Sequence, residues 1–259
     1  MAFPARLEQF RAIDSTQRVV REWLEAGEPE VCVAVADHQS AGRGRLGREW
    51  MAAPGSALLL SAGFRPNGLL PRHGWRLAAI VALAMRDAAE EVAGLADGTI
   101  WLKWPNDLVA LVEHRGVVKV AGVLGESVSS PRWVQSAVIG IGVNGNWKSA
   151  DFPWLLASAM TSLRQLSGNR PIDHAALLDA FLARLEPRYE ALSAGIFDAA
   201  GWSVTQITTG RQVVVDLAGE SLLGTGAGVD PETGALLLDV AGGGRRVIDS
   251  GEVTRCRVS

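Results

Sequence analysis

Histidine is scarce and scattered: His38, His73, His114 and His174 are the only four, with no His-Glu-x-x-His and no triad signature. That speaks against a zinc enzyme. Cysteine is rarer still. Cys32 and Cys256 each stand in a strand-like apolar context without metal spacing, which predicts buried thiols in a reducing cytoplasm. No apolar run approaches a membrane span, and the start Met1-Ala2-Phe3-Pro4-Ala5-Arg6 carries none. A membrane partner is therefore not expected. An excess of charge of one sign is also missing: the net charge is −3, so no overall field draws the chain to nucleic acid or to an acidic membrane. Internal repeats and low-complexity tails are absent.

What is present suits a globular protein with ample core: 259 residues, 48% hydrophobic and 20% charged, enough for one large domain or one plus a small one. Nine tryptophans are many for this length, and some are expected to wall a pocket. The chain is organised around Gly42-Arg43-Gly44-Arg45-Leu46-Gly47-Arg48, with Trp50 just beyond. Glycine disfavours helix and strand and lets backbone approach a ligand. Arginine presents a fixed fork of donors to carboxylate or phosphate. Interleaved, they read as a loop that closes over an anion, or as a solvated basic turn. The dinucleotide fingerprint G-x-G-x-x-G also matches, but no helical period follows; Glu49-Trp50-Met51-Ala52-Ala53 runs into Pro54-Gly55. No Gly-Lys-Ser/Thr follows for a P-loop, and the kinase partners His-Arg-Asp and Asp-Phe-Gly are missing.

Along the chain, Val19, Val20, Trp23 and Leu24 make a helical stripe ending near Gly27, with Asp14 or Ser15 as N-cap. Val31–Ala36 and Ala57–Phe64 read as strands, Trp75–Val92 as a long helix and Ile100–Trp104 as a strand stopped by Pro105-Asn106-Asp107. Residues 108–112 and 117–128 flank Glu113-His114-Arg115-Gly116 as a hairpin, and a strand over 133–143 passes through Gly140 and Gly142. Alternate glycines clear one face, so something should lie against it. Lys119, among valines, either snorkels at an edge or points at a functional anion. Helices are expected over 154–166 and 173–194, with Pro187 kinking or ending the second. After residue 204, short strands at 213–217, 221–223, 236–240, 245–248 and 253–258 suggest a small barrel. No regular βαβ rhythm appears, which argues for an α+β fold.

The polar residues at strand ends or on the sheet face are Gln39, the 42–48 loop, Lys103, Asn106, Asp107, Lys119 and Asn144. Three stretches look like the signatures of biotin protein ligases, in that family's order. They are Gly42 to Arg48 with Trp50, Lys103-Trp104-Pro105-Asn106-Asp107, and Lys119-Val120-Ala121-Gly122-Val123-Leu124 with Glu126. The resemblance runs from near Ser15 to the C-terminus. It implies an α+β catalytic domain related to class II aminoacyl-tRNA synthetases, with a mixed sheet, over residues 1–203. A small SH3-like β-barrel is implied over 204–259. The implied type is the monofunctional one, because too few residues precede Ser15 for an N-terminal DNA-binding domain.

The resemblance further implies an ATP-dependent ligase that forms biotinyl-5′-AMP and transfers biotin to a lysine of a biotin carboxyl carrier protein. Biotin contacts map to Ser15, Thr16, Gln17, Gln39, Arg43, Gly44, Arg45, Trp50, Lys119 and Gly122. ATP and adenylate contacts map to Arg45, Arg48, Trp50, Lys103, Asn106, Asp107, Lys119 and Asn144. Lys119 would bridge the carboxylate and α-phosphate, while Arg45 and Arg48 hold phosphates. Asp107 would carry Mg²⁺, orient the lysine, or only cap the turn after Pro105. Two departures stand out: Gln17 replaces the asparagine of Ser-Thr-Asn, and the hairpin between Asp107 and Lys119 is longer than expected. Biotin, ATP and the carrier protein are the expected partners, and a homodimer stays open. The alternatives are a lipoate or octanoate ligase of the same fold class and a non-catalytic adenylate-binding module.

Overall fold

A computed structural model of the protein describes residues 3–257. The first strand, β1 (Arg6–Phe10), runs parallel to β2 (Cys32–Ala36), and α1 (Thr16–Glu25) crosses between them. The chain continues through β3 (Ala57–Phe64), α2 (Trp75–Ala93), β4 (Ile100–Lys103), β5 (Asp107–Val112), β6 (Gly116–Ser129) and β7 (Val134–Asn144). These strands form one mixed seven-stranded sheet in the order β1-β2-β3-β7-β6-β5-β4, antiparallel everywhere except at β1/β2. Helices α3 (Leu163–Leu166), α4 (His174–Ser193) and α5 (Ala199–Val204) follow. The chain ends in β8 (Gln212–Asp216), β9 (Ser221–Val229), β10 (Leu236–Val240), β11 (Gly244–Ile248) and β12 (Glu252–Cys256). They make a separate five-stranded antiparallel sheet in the order β11-β10-β9-β8-β12. The fold is α+β with a mixed sheet, as expected.

The continuous apolar run of β2 is explained by burial on both faces. Val33 and Val35 join the main core with α2 and α4, while Cys32 and Ala34 face Val19, Val20 and Leu24 of α1. The cost of this packing is space: a Cβ on Gly63 of β3 would lie 2.6 Å from Val20 Cγ1 and 2.8 Å from Cys32 Sγ. Both cysteines are free thiols, Cys32 buried and Cys256 half-buried. No helix of the described residues is long and apolar enough to cross a membrane.

Several expectations need correction. β1 gave no sequence signal because Leu7 and Phe10 do not alternate, and Leu7 remains exposed at the sheet edge. Of the helix expected over 154–166 only Leu163–Leu166 forms. The residues before it are drawn into pairing with β6, Lys119 N–H donating to Ala159 O and Thr161 N–H to Lys119 O, each at 2.8 Å. Tertiary hydrogen bonds there outweigh local helical period. Helix α4 continues through Pro187 instead of ending. Both Pro187 and Ala183, whose carbonyl loses its amide partner, lie on the solvent side. β9 runs over Ser221–Val229, well past the expected 221–223, and carries Gly224, Gly226 and Gly228 within the strand. Gly226 is needed in the strand because its Cβ would meet Thr208 O at 2.1 Å. Of the strand expected over 253–258, Val258 lies outside the described residues.

Gly63→Ala forces α1 off the sheet and should cost about 1–3 kcal/mol, the usual penalty of overpacking a filled core. Urea unfolding checks it, and an unchanged midpoint would mean that α1 has room to spare.

Candidate active site

The loop at residues 42–48 is folded back on itself. Gly44 N–H donates to Arg48 O at 2.7 Å and Trp50 N–H to Gly42 O at 2.9 Å, and Arg43 bridges Glu49. The tip is a short helical turn, Arg45–Gly47, in which Leu46 (φ 58°) and Gly47 (φ 74°) are both left-handed. A Cβ on Gly42 would lie 2.3 Å from Trp50 O, so only glycine allows this closure. Gly44 directs its amide into the loop itself.

Each arginine of the loop finds a partner. Arg43 Nη2 lies 2.9 Å from Glu126 Oε1, and Glu126 also pairs with Arg21 of α1. Arg45 Nη1 donates to Asn106 Oδ1 and to Gly251 O, both at 3.3 Å. Burial pulls its guanidinium below the ordinary value, though arginine stays charged. Arg48 forks onto Glu252, with Nη1 3.0 Å from Oε1, and that bond raises the guanidinium.

Beside the loop, the turn between β4 and β5 and a register shift in the β5–β6 ladder bring two lysines to one carboxylate. Lys119 Nζ lies 2.6 Å from Asp107 Oδ1, and Lys103 Nζ lies 3.1 Å from Oδ2 while donating to Val253 O at 3.0 Å. Asp107 is buried. Burial pushes its carboxyl up, but Lys119 and Lys103 together outweigh burial and hold it below the ordinary carboxylate value. Lys119 therefore points inward at a charged site rather than snorkelling at an edge. Its ammonium also stands 5.4 Å from the Trp50 ring centroid. The side-chain bonds of Asp107 run to the two lysines, which makes it an orienting counter-charge for them.

The alternate glycines of β7 serve as expected, and what lies on them is the protein's own side chains. A Cβ on Gly142 would meet Trp50 Cε2 at 2.4 Å, and one on Gly140 would meet Gln17 Cγ at 3.1 Å. Gly122 on β6 is as crowded, with Lys119 Nζ at 2.9 Å and Trp50 Cζ3 at 3.0 Å from its Cβ position. The indole Nε1 of Trp50 is buried without a hydrogen-bond partner. At the head of α1, Gln39 Oε1 accepts from Thr16 N–H at 2.7 Å and from Thr16 Oγ1 at 3.1 Å. Gln17 Nε2 donates to Leu124 O at 2.9 Å. Ser15 occupies the N-cap position yet makes no capping bond.

Two cavities adjoin these groups. A small one, ≈ 30 Å³, is bounded by Ser15, Thr16, Gln17, Gln39, Arg43 and Trp50 over the glycine-lined sheet face. A larger one, ≈ 350 Å³, takes in Arg45, Lys103, Asn106, Asp107 and Glu126 and extends to Thr233 and Asp249 of the C-terminal sheet. Leu124 lines both.

Most of the expected site residues line the two cavities; Lys119 borders neither but is tied to them through Asp107 and Trp50, Gly44 and Arg48 stay in the loop outside both, and Asn144 lies apart. That residue is buried and donates to Thr161 O at 3.1 Å, bordering neither cavity. It steadies the segment paired with Lys119. A metal role for Asp107 does not fit either, since both its oxygens face ammoniums. No cluster of three or more His, Cys, Asp or Glu among the described residues could hold a metal. Sequence reasoning missed Ser61, whose hydroxyl lies 2.8 Å from Thr16 Oγ1; a lone serine inside the apolar strand β3 was its signal. It also missed Gly251 and Glu252, for which no local signal exists.

A family of ligases defines the class: the biotin/lipoate A/B protein ligase family model matches residues 9–144. The bifunctional ligase/repressor BirA of Bacillus subtilis is 32% identical over 91% of this chain and 70% of its own length. The biotin–[acetyl-CoA-carboxylase] ligase of Mycobacterium tuberculosis is 33% identical over 87% of this chain and 79% of its own. The biotin protein ligase of Aquifex aeolicus, solved with biotin and ATP, superimposes with a TM-score of 0.77 at 27% identity, covering 98% of this chain and 99% of that one. The chain belongs to this family, on its biotin protein ligase branch.

Asp107→Asn leaves two ammoniums facing each other without a counter-charge. Breaking a buried pair from one side costs roughly 3–5 kcal/mol, and partial exposure of both lysines lowers the expectation to about 1–3. Because the folded carboxyl is held below its unfolded value, this stabilisation is present above the unfolded value and is lost as pH falls through the folded one. The gap between wild type and variant should therefore narrow below about pH 4. Urea titrations at neutral and acid pH check this, and a constant gap contradicts it.

Proposed function

We propose that the protein is an ATP-dependent biotin ligase that makes biotinyl-5′-AMP and passes biotin to a lysine of a biotin carboxyl carrier protein. The observation that carries this is the convergence of Lys119 and Lys103 on Asp107, a carboxylate that lines one cavity together with Lys103 and with Arg45 of the arginine loop. In the first step a carboxylate oxygen of biotin attacks the α-phosphorus of ATP and pyrophosphate leaves. Two anions must meet, and at 3.5 Å with an effective dielectric near 20 each unit-charge pair costs about 5 kcal/mol. Fixed cations already in place offset that cost without reorganising. Lys119 is the group we assign between carboxylate and α-phosphate, with Asp107 setting its direction. Arg45 and Arg48 hold phosphates, and Arg43 orders the loop.

In the second step the acceptor amine attacks the acyl carbon, and the C–O bond to AMP breaks with its electron pair. The mixed anhydride would hydrolyse in water, so a closed loop protects it. Biotin occupies the glycine-floored pocket between Thr16, Gln39 and Trp50. At ≈ 30 Å³ that pocket opens by movement of Trp50 and the loop before the ligand enters. Mg²⁺ accompanies the substrate triphosphate rather than a protein cage. We further assign residues 1–203 to a catalytic domain of the class II aminoacyl-tRNA synthetase type and 204–259 to an SH3-like domain.

Incubating the protein with ATP, Mg²⁺, biotin and a carrier domain should add one biotin mass to a single lysine, and lipoate in place of biotin should add none. Lys119→Ala should lose biotin-dependent exchange of pyrophosphate into ATP while keeping its fold. Exchange near the wild-type rate would remove Lys119 from the bridging role.

A further inference from the structure

The tip of the arginine loop has almost nothing apolar holding it down. Leu46 is 76% exposed, and the main-chain bonds of residues 43–49 close the loop on itself. Its attachments to the rest of the protein are the guanidiniums. Arg43 reaches Glu126 of β6, Arg45 reaches Asn106 in the β4–β5 turn as well as Gly251 O, and Arg48 reaches Glu252; Gly251 and Glu252 mark the start of β12, in the C-terminal sheet. That start is packed against β8. Glu252 pairs in register with Asp216 of β8, and Gly251 sits so close to that strand that a Cβ would meet Asp216 O at 2.9 Å. Of these attachments, Arg48 to Glu252 is the two-pronged guanidinium–carboxylate fork.

We propose that Glu252 is a positioning residue for the ligase reaction: it clamps Arg48, and with Gly251 O on Arg45 it sets the closed pose of the loop. The C-terminal sheet is then the post against which the lid shuts, and adenylate retention depends on a residue that touches no substrate. The inference rests on the ligase reading only for what lies beneath the lid. The docking itself is a property of the protein alone.

Two readouts on the full-length chain separate these claims. In the ligand-free protein, trypsin cleavage after Arg43, Arg45 and Arg48 reports loop opening. Glu252→Gln should speed it about two- to fivefold at low salt, the range of an exposed ion pair. Rising salt should bring wild type toward the variant, because screening weakens the same contact. Glu252→Asp keeps the charge one methylene shorter and should fall between. Glu220→Gln, which breaks the surface pair with Arg246, serves as the control and should change nothing. In the second readout, biotinyl-5′-AMP preformed on the enzyme should leave Glu252→Gln faster by a similar factor, with KM for biotin unchanged. Equal cleavage of wild type and Glu252→Gln at low salt, or equal acceleration by Glu220→Gln, overturns the proposal. If wild type forms no adenylate, the ligase reading fails while the trypsin arm still decides the docking.

Discussion

The site depends on a single buried carboxylate held between two ammoniums. Asp107 neutralises part of the charge of Lys103 and Lys119, so two cations can share a small volume without expelling each other. It also fixes where the Lys119 ammonium points, which a long flexible side chain would not do unaided. The geometry comes from strand register: Lys103 and Asp107 face each other across the β4–β5 turn, and the shift in the β5–β6 ladder turns Lys119 toward them. The cationic centre is therefore built into the sheet, beside the loop.

Closure has its own requirements, and they are mainly steric. Trp50 can lie flat on the sheet only because Gly122 and Gly142 carry no side chain, and the loop can fold only because Gly42 leaves room for Trp50 O. The same tryptophan faces the Lys119 ammonium, 5.4 Å from its ring centroid, so the pocket wall adjoins the charged centre. Gln17 occupies the bare face over Gly140 and reaches Leu124 O on β6. Its extra methylene relative to asparagine is accommodated by the missing side chain of Gly140. The long hairpin does not contribute a catalytic group: His114 at its tip is exposed with φ 60°.

Much of the fold could be read from pattern alone. β3, α2, the β5–β6 hairpin and β7 carry strong periods or long apolar runs bounded by turn residues, and each appears where expected. Elements whose conformation is set by a neighbour could not be read. β1 forms because β2 offers a parallel edge, and residues 159–161 extend because Lys119 offers its backbone. In the site, the loop, Lys103, Asp107 and Lys119 were legible because their residue types are out of place: glycine beside arginine, lysine among valines. Asn144 shared that look, yet its amide is bonded to Thr161 O.

The amino-acid sequence by itself determined the chemistry, since fixed cations, donor forks and bare glycine faces are properties of residue type and local spacing. Pairing was settled only by the tertiary structure: that Lys119 meets Asp107, that Trp50 covers Gly142, and that Arg48 meets Glu252 across 204 positions of chain. Such contacts leave no local trace, because a side chain's partner is chosen by strand register and packing, and these exist only once distant segments have been brought together.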